Sequence, residues 1–171
     1  MSITQWDPTN LPIRPGLYTN FVDAAALQIS GGARGIVAIP LNTYTGGTAT
    51  AKTFYTVSDE TGAAELFGAA NIQSIKFALQ GGAKEVLVYT MPATPATADF
   101  VDMRNAFEAR PFNVFVFDGE PSAIERTNTL AWVIANRAER KHYMFVTGGT
   151  EAEDANPATG NTRSAALLDD Y

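Results

Sequence analysis

The sequence predicts a layered α/β fold: a mostly parallel sheet flanked by helices, with an extended β arm at the N-terminus. Three observations carry this. Short, nearly unbroken apolar runs at 36–40, 85–89, 112–118 and 143–146 read as strands covered on both faces. Stretches with apolar residues at helical spacing separate them. Glycine and proline punctuate the joints, so the order is β–α–α–β–α–β–α–β, then a loop and a further helix. That alternation calls for parallel strands joined by crossover helices.

Taken in order, Pro12 and Pro15 each fix φ and push the preceding residue out of the α region, so 11–16 is expected to run extended. Residues 17–23 alternate without a cleanly apolar face, which suits an edge strand. The turn Gly31-Gly32-Ala33-Arg34-Gly35 leads into Ile36-Val37-Ala38-Ile39, a buried strand stopped by Pro40. Residues 42–51, rich in threonine and glycine, are expected to form a hairpin or surface loop before a strand at 52–57.

Ser58 and Asp59 are N-cap residues for a short helix at 61–67 that Gly68 stops. Asn71 is expected to cap the next helix, with Ile72, Ile75, Phe77, Ala78 and Leu79 on its inner face and Gly81-Gly82 at its end. After the strand at 85–89, the proline- and threonine-rich residues 91–97 form the clearest internal boundary. Helix 97–110 places Phe100, Val101, Met103, Ala106 and Phe107 inward, leaves Asp99, Asp102, Arg104 and Glu108 outward, and ends at Pro111. Pro121-Ser122 opens the longest helix, to about Arg140, with Ile124, Leu130, Ala131, Val133, Ile134 and Ala138 for its core face. If that face is right, Ile134→Ala costs roughly 2–5 kcal/mol. Residues 151–161 read as an exposed, mobile acidic loop, and 162–168 begin another helix.

Composition narrows the functional classes. The 171 residues are 46% hydrophobic and 18% charged, which places them among folded chains and not disordered ones. No apolar run approaches the roughly 20 residues of a membrane span, and residues 1–10 show no signal-peptide pattern. There is no cysteine, hence no disulfide and no thiolate nucleophile. A formal charge of −6 and scattered Lys and Arg argue against non-specific nucleic-acid binding. The densest basic cluster, Arg137, Arg140 and Lys141, stands at a predicted helix end, where the helix dipole favours it.

The chain also resembles the contractile tail sheath proteins of bacteriophages and contractile bacteriocins. The residues concerned are Arg14-Pro15-Gly16-Leu17-Tyr18-Thr19-Asn20-Phe21, Gly32-Ala33-Arg34-Gly35-Ile36-Val37-Ala38-Ile39-Pro40-Leu41, the block from Ile75 to Tyr89 and that from Arg110 to Gly119. Their order and spacing extend over nearly the whole chain, which corresponds to an N-terminal portion of such proteins. The resemblance implies an arm at 1–23 and an α/β sheath core at 24–171 that continues beyond the C-terminus given. It further implies a structural, non-enzymatic subunit that polymerises helically around a tail tube and changes lattice on contraction. Neither cofactor nor metal is implied. Its partners would be other sheath subunits, the tail tube protein, and baseplate and terminator proteins, with no nucleic acid and no membrane. It would be made in the host bacterial cytoplasm and end in a phage tail or bacteriocin particle. Family arms add strands to neighbouring subunits, which assigns inter-subunit contact to Ile13, Arg14, Pro15, Gly16, Leu17, Tyr18, Thr19, Asn20, Phe21, Val22 and Asp23. Read without the resemblance, the same stretch is an edge strand of its own sheet.

The alternative is an α/β small-ligand-binding domain or enzyme with its site at the carboxyl ends of the strands. The one histidine, His142, begins a strand whereas Asp118 ends another, so a parallel sheet places them at opposite edges. The glycines at 31–35 precede a strand, whereas a phosphate cradle follows one. Asp118-Gly119-Glu120-Pro121-Ser122 has the right strand-to-helix context but lacks successive glycines and carries two carboxylates. Those acids with Glu151, Glu153 and Asp154 could attract a divalent ion, although solvated loop acids are the simpler reading.

Overall fold

The computed structural model describes residues 35–149 and 151–168. The arm residues Ile13 to Asp23 and the turn at 31–34 lie outside the described residues. The elements are β1 (Ile36–Leu41), β2 (Phe54–Val57), α1 (Glu60–Phe67), α2 (Gln73–Gln80), β3 (Glu85–Thr90), α3 (Thr97–Glu108), β4 (Val114–Val116), α4 (Ala123–Ala138), β5 (Met144–Val146), α5 (Glu151–Asp154) and α6 (Pro157–Leu168). The sheet has five strands in the order β2-β3-β1-β4-β5. β1, β3, β4 and β5 run parallel, with Val37 opposite both Val86 and Val114 and Phe115 opposite Phe145. β2 is antiparallel to β3 at one edge. The mostly parallel sheet flanked by helices is therefore the predicted fold.

Two apolar layers explain why the central strands read as continuous hydrophobic runs. On one face Ile39, Leu41, Val57, Val86 and Val88 pack against Ala63 and Phe67 of α1 and Ile72 and Ile75 beside and within α2. On the other, Ala38, Leu87, Tyr89, Phe115, Phe117 and Phe145 meet Met103 and Phe107 of α3 and Val133 of α4. The second layer is aromatic. Phe115 lies edge-on to Phe107, Phe117 and Trp132, at ring-centroid separations of 5.3, 5.3 and 5.6 Å, a favoured geometry for aromatic quadrupoles. Ala38 stands opposite Phe115 in the β1–β4 register, its small side chain leaving room for that ring.

The segment after β1 is no hairpin, because β2 pairs with β3 and not with β1. It is a loop laid over the end of α1: the Ala49 N–H donates to the Leu66 carbonyl at 2.9 Å, and the Tyr44 hydroxyl donates to the Met91 carbonyl at 3.0 Å. A Cβ at Gly47 would overlap the Leu66 carbonyl, a backbone group with no room to yield. Gly47→Ala is expected to lower stability by about 1–3 kcal/mol, read as a shifted urea midpoint with an unchanged slope.

Capping follows the sequence at Asp59, departs from it at Asn71, and at α4 falls to Ser122, which the sequence places with Pro121 at the helix opening. The Asp59 carboxylate accepts from the Gly62 N–H at 2.7 Å at the start of α1, and the Ser122 hydroxyl accepts from the Glu125 N–H at 3.3 Å at the start of α4. Asn71 does not cap α2. Its amide donates instead to the Phe67 and Thr45 carbonyls, tying the end of α1 to the loop. Residues 91–97 mark no domain boundary, since the helix that follows packs on the same sheet.

Three helical faces also differ from their predicted phases. Phe77 of α2 and Val101 of α3 are exposed, whereas Arg104 is buried. In α4 the buried residues are Glu125, Thr129, Val133 and Asn136, while Ile124 and Ile134 are 69% and 40% exposed and Ala131 and Ala138 also face solvent. Ile134→Ala therefore does not open a core cavity. The helix is turned this way because its polar inner residues have partners: Arg104 reaches Glu125 and Thr129, and the Asn136 amide donates to the Trp132 carbonyl at 2.9 Å.

Residues 151–161 are not a loop either. Glu151–Asp154 and Pro157–Leu168 are helical. The acids are compensated by arginines distant in sequence: Glu153 pairs with Arg126 at 2.6 Å and with Arg163 at 3.7 Å, and Asp154 pairs with Arg163.

Candidate functional site

A parallel sheet that reverses its winding direction opens a crevice between two strand ends, the usual ligand position in such folds. Here the chain leaves β1 toward β3 on one side, while β4 lies on the other. The crevice accordingly falls between the carboxyl ends of β1 and β4. A cavity of about 310 Å³ lies there, lined by Asn42, Phe100, Phe117, Asp118, Glu120 and Ser122 among others.

Its chemistry does not suit an anion. The acidic residues Asp118, Glu120 and Glu125 are among those that line the cavity, and Gly119, with φ 80°, is the only glycine of the turn. The helix N-terminus that would receive a phosphate is capped by Ser122. Glu125 points instead to Arg104, whose guanidinium donates to it at 2.9 Å and to Thr129 at 3.4 Å. With Arg104 and Glu125 only 6% and 4% exposed, the pair joins α3 to α4 inside the structure and is not presented to a ligand. Sequence reasoning placed Arg104 on the outer face. Its partner lies 21 residues away on another helix, so no local spacing could have signalled the pair.

Asp118 is the perturbed acid of the crevice. Burial raises its carboxyl above the ordinary value of 3.8, while the neighbouring Ser74 hydroxyl pulls the other way. Because the folded state holds this proton more tightly than the unfolded one, stability falls as pH rises from about 3.8 through the folded value, and the penalty persists above it. Asp118→Asn is expected to raise the denaturation midpoint at neutral pH and to lose that advantage in acid below the ordinary aspartate range, a difference resolved by denaturant melts at the two pH values.

The remaining candidates do not converge on Asp118. His142 is exposed and precedes β5, which is parallel to β4, so it lies at the opposite end of the sheet. Glu153 and Asp154 are engaged by Arg126 and Arg163. Among the described residues no group of three or more His, Asp or Glu is placed to hold a metal ion. Lys141 pairs with Glu139 at 3.3 Å, and Arg137 occupies the last turn of α4, as the helix-dipole reading expects.

A second polar cluster, not foreseen from sequence, lies outside the crevice. Lys52, in the left-handed region at φ 55°, places its ammonium 2.8 Å from Asp99 and 3.1 Å from Asp102. Its hydrogen bond to Asp99, together with the Ala96 N–H, holds that carboxyl below its ordinary value. The arrangement clasps the loop before β2 to the first two turns of α3 and leaves no nucleophile or base poised for a substrate.

No protein-family model matches this chain, and no curated protein sequence does. Among solved structures it is similar to the sheath tail protein Lin1278 of Listeria innocua, with a TM-score of 0.52 and 14% sequence identity. The match covers 64% of this chain and 46% of that one, so the chain corresponds to under half of the matched protein's length. The α/β sheet and its flanking helices thus have a sheath-like fold.

Proposed function

We propose that this chain is a structural subunit of a contractile tail sheath, stacking helically around a tail tube and changing lattice on contraction. The observation that carries the reading is the sheath-like fold, found over 64% of the chain in a sheath tail protein. The crevice supports it by its contents: its carboxylates, capped helix and inward-turned Glu125 favour a scaffold over a catalyst. In this reading the partners are other sheath subunits, the tube, and baseplate and terminator proteins, within a phage tail or a bacteriocin particle made in a bacterial cytoplasm. Residues Ile13 to Asp23 act as a donated strand, their prolines restricting the free arm to extended conformations and so lowering the entropy lost on pairing. Backbone hydrogen bonds to a neighbour's sheet supply the connection, and Leu17 and Tyr18 anchor on its two faces.

The test compares the full-length sheath protein with the same protein lacking residues 1–19. Removal is expected to leave the circular dichroism of the body unchanged and to abolish tubes in negative-stain microscopy. Abundant regular tubes from the truncated protein would refute the donated strand, and unfolding would assign the arm to its own core. A full-length protein that stays a small closed oligomer would refute the sheath reading itself.

A further inference from the structure

Each layer leaves one apolar surface uncovered among the described residues. On the α2 side of the sheet, β4 and β5 present Val114, Val116, Met144 and Val146; Val114 is half-buried, Val116 is half-buried against the core on that face, and Met144 and Val146 are exposed. With Phe77, which is 62% exposed, this face forms a groove of about 920 Å³. It runs from Gly81 and Ala83 at the amino ends of the strands to Asp118 and Gly119 at their carboxyl ends. On the opposite layer, the solvent side of α4 carries Ile124, Thr127, Ala131, Ile134, Ala135 and Ala138, an uncharged ridge at helical spacing.

We propose that the α4 ridge of one copy of this chain seats in the sheet groove of the next. The choice of a second copy as the occupant rests on the sheath reading; the fit rests on dimensions and charge. From Ile124 to Ile134 the ridge extends about 15 Å at the helical rise. From Val114 to Asp118 the groove extends about 13 Å at the strand rise.

Charge selects one direction. With α4 lying parallel to the strands, Arg140 and Lys141, both exposed beyond its C-terminal end, come to the end of the groove that holds Asp118. The acidic start of α4, with Asp118 and Glu120 just before it, then falls toward the uncharged amino end of the groove at Gly81 and Ala83, away from Asp118. The reverse orientation sets carboxylates against carboxylates. Because ridge and groove lie on opposite layers, the contact is heterologous: each added copy offers a fresh groove or ridge, as an extending assembly requires and a two-fold dimer does not.

The chain has no cysteine, so single-cysteine variants report this contact cleanly. Ile134→Cys and Val146→Cys both alter exposed side chains. Treated with a short bismaleimide under assembly conditions, a mixture of the two is expected to give a crosslinked dimer that neither gives alone, and the double variant a ladder of higher species. Adding Arg140→Glu and Lys141→Glu to the Ile134→Cys partner is expected to cut the dimer yield at least tenfold at low salt. Self-crosslinking of Ile134→Cys alone would overturn the proposal in favour of ridge against ridge, and an uncrosslinked mixture would overturn it outright. Microscopy of the same samples separates this from the sheath reading. Tubes without crosslinks remove the contact and keep the sheath, while ladders without tubes keep the contact and remove the sheath.

Discussion

Arg104→Ala is expected to lower the free energy of unfolding by about 3–5 kcal/mol, the usual loss when one partner of a buried ion pair is removed. The Glu125 carboxylate would remain inside with its 2.9 Å donor gone, and Thr129 would lose the same guanidinium. Most of the loss is the penalty of an uncompensated buried charge and not the net worth of the pair. The double variant Arg104→Met, Glu125→Leu is accordingly expected to recover most of the stability, since well-packed apolar residues often replace a buried pair at little cost. A double-mutant cycle in urea checks both statements. Equal losses for the single and double variants would mean that the side chains matter through packing alone.

Phe115→Ala is expected to cost about 3–5 kcal/mol, the range for truncating a buried phenylalanine. Phe115 is fully buried and has ring contacts with Phe107, Phe112, Phe117, Trp132 and Phe145. β4 is only three residues long, so its side chain, more than its ladder, fixes that strand between β1 and β5. The measurement is a chemical melt with tryptophan fluorescence. Trp132, 5.6 Å from Phe115 by ring centroids, is expected to report the loosened cluster as a shifted native-state emission.

The central strands β1 and β3 were legible in the sequence because a parallel sheet covered on both faces writes itself as contiguous apolar residues. Val86-Leu87-Val88 needed no long-range information. Asp59 was legible for an equally local reason, a short polar side chain standing just before a helix. The phase of α4 was not. Both of its faces carry apolar residues, and what decides between them is Arg104, which makes Glu125 and Thr129 acceptable inside. A periodicity count scores Ile124 and Ile134 as core and has no means of seeing a cation supplied by another helix. The acidic stretch was misread in the same way: Arg126 and Arg163 lie far enough away that the carboxylates looked unpaired. Of the candidate site, the strand-to-helix context of Asp118 was legible, whereas the Lys52 clasp needed the β2–α3 proximity that only the folded chain provides.

The central place of β1 sets the order in which the sheet closes during synthesis. Among the described strands β1 is made first, yet both of its neighbours are encoded later: Ile36 waits 49 residues for Glu85, and Val37 waits 77 for Val114 (114 − 37). At ribosomal speeds of about 5–20 residues per second, the second edge of β1 stays open for roughly 4–15 s after the strand is made. Throughout that interval a short, strongly apolar strand has unpaired backbone on at least one side, the condition under which nascent chains pair wrongly with one another. Slowing elongation between β3 and β4 is therefore expected to lower the soluble yield of this protein more than the same pause placed after β5.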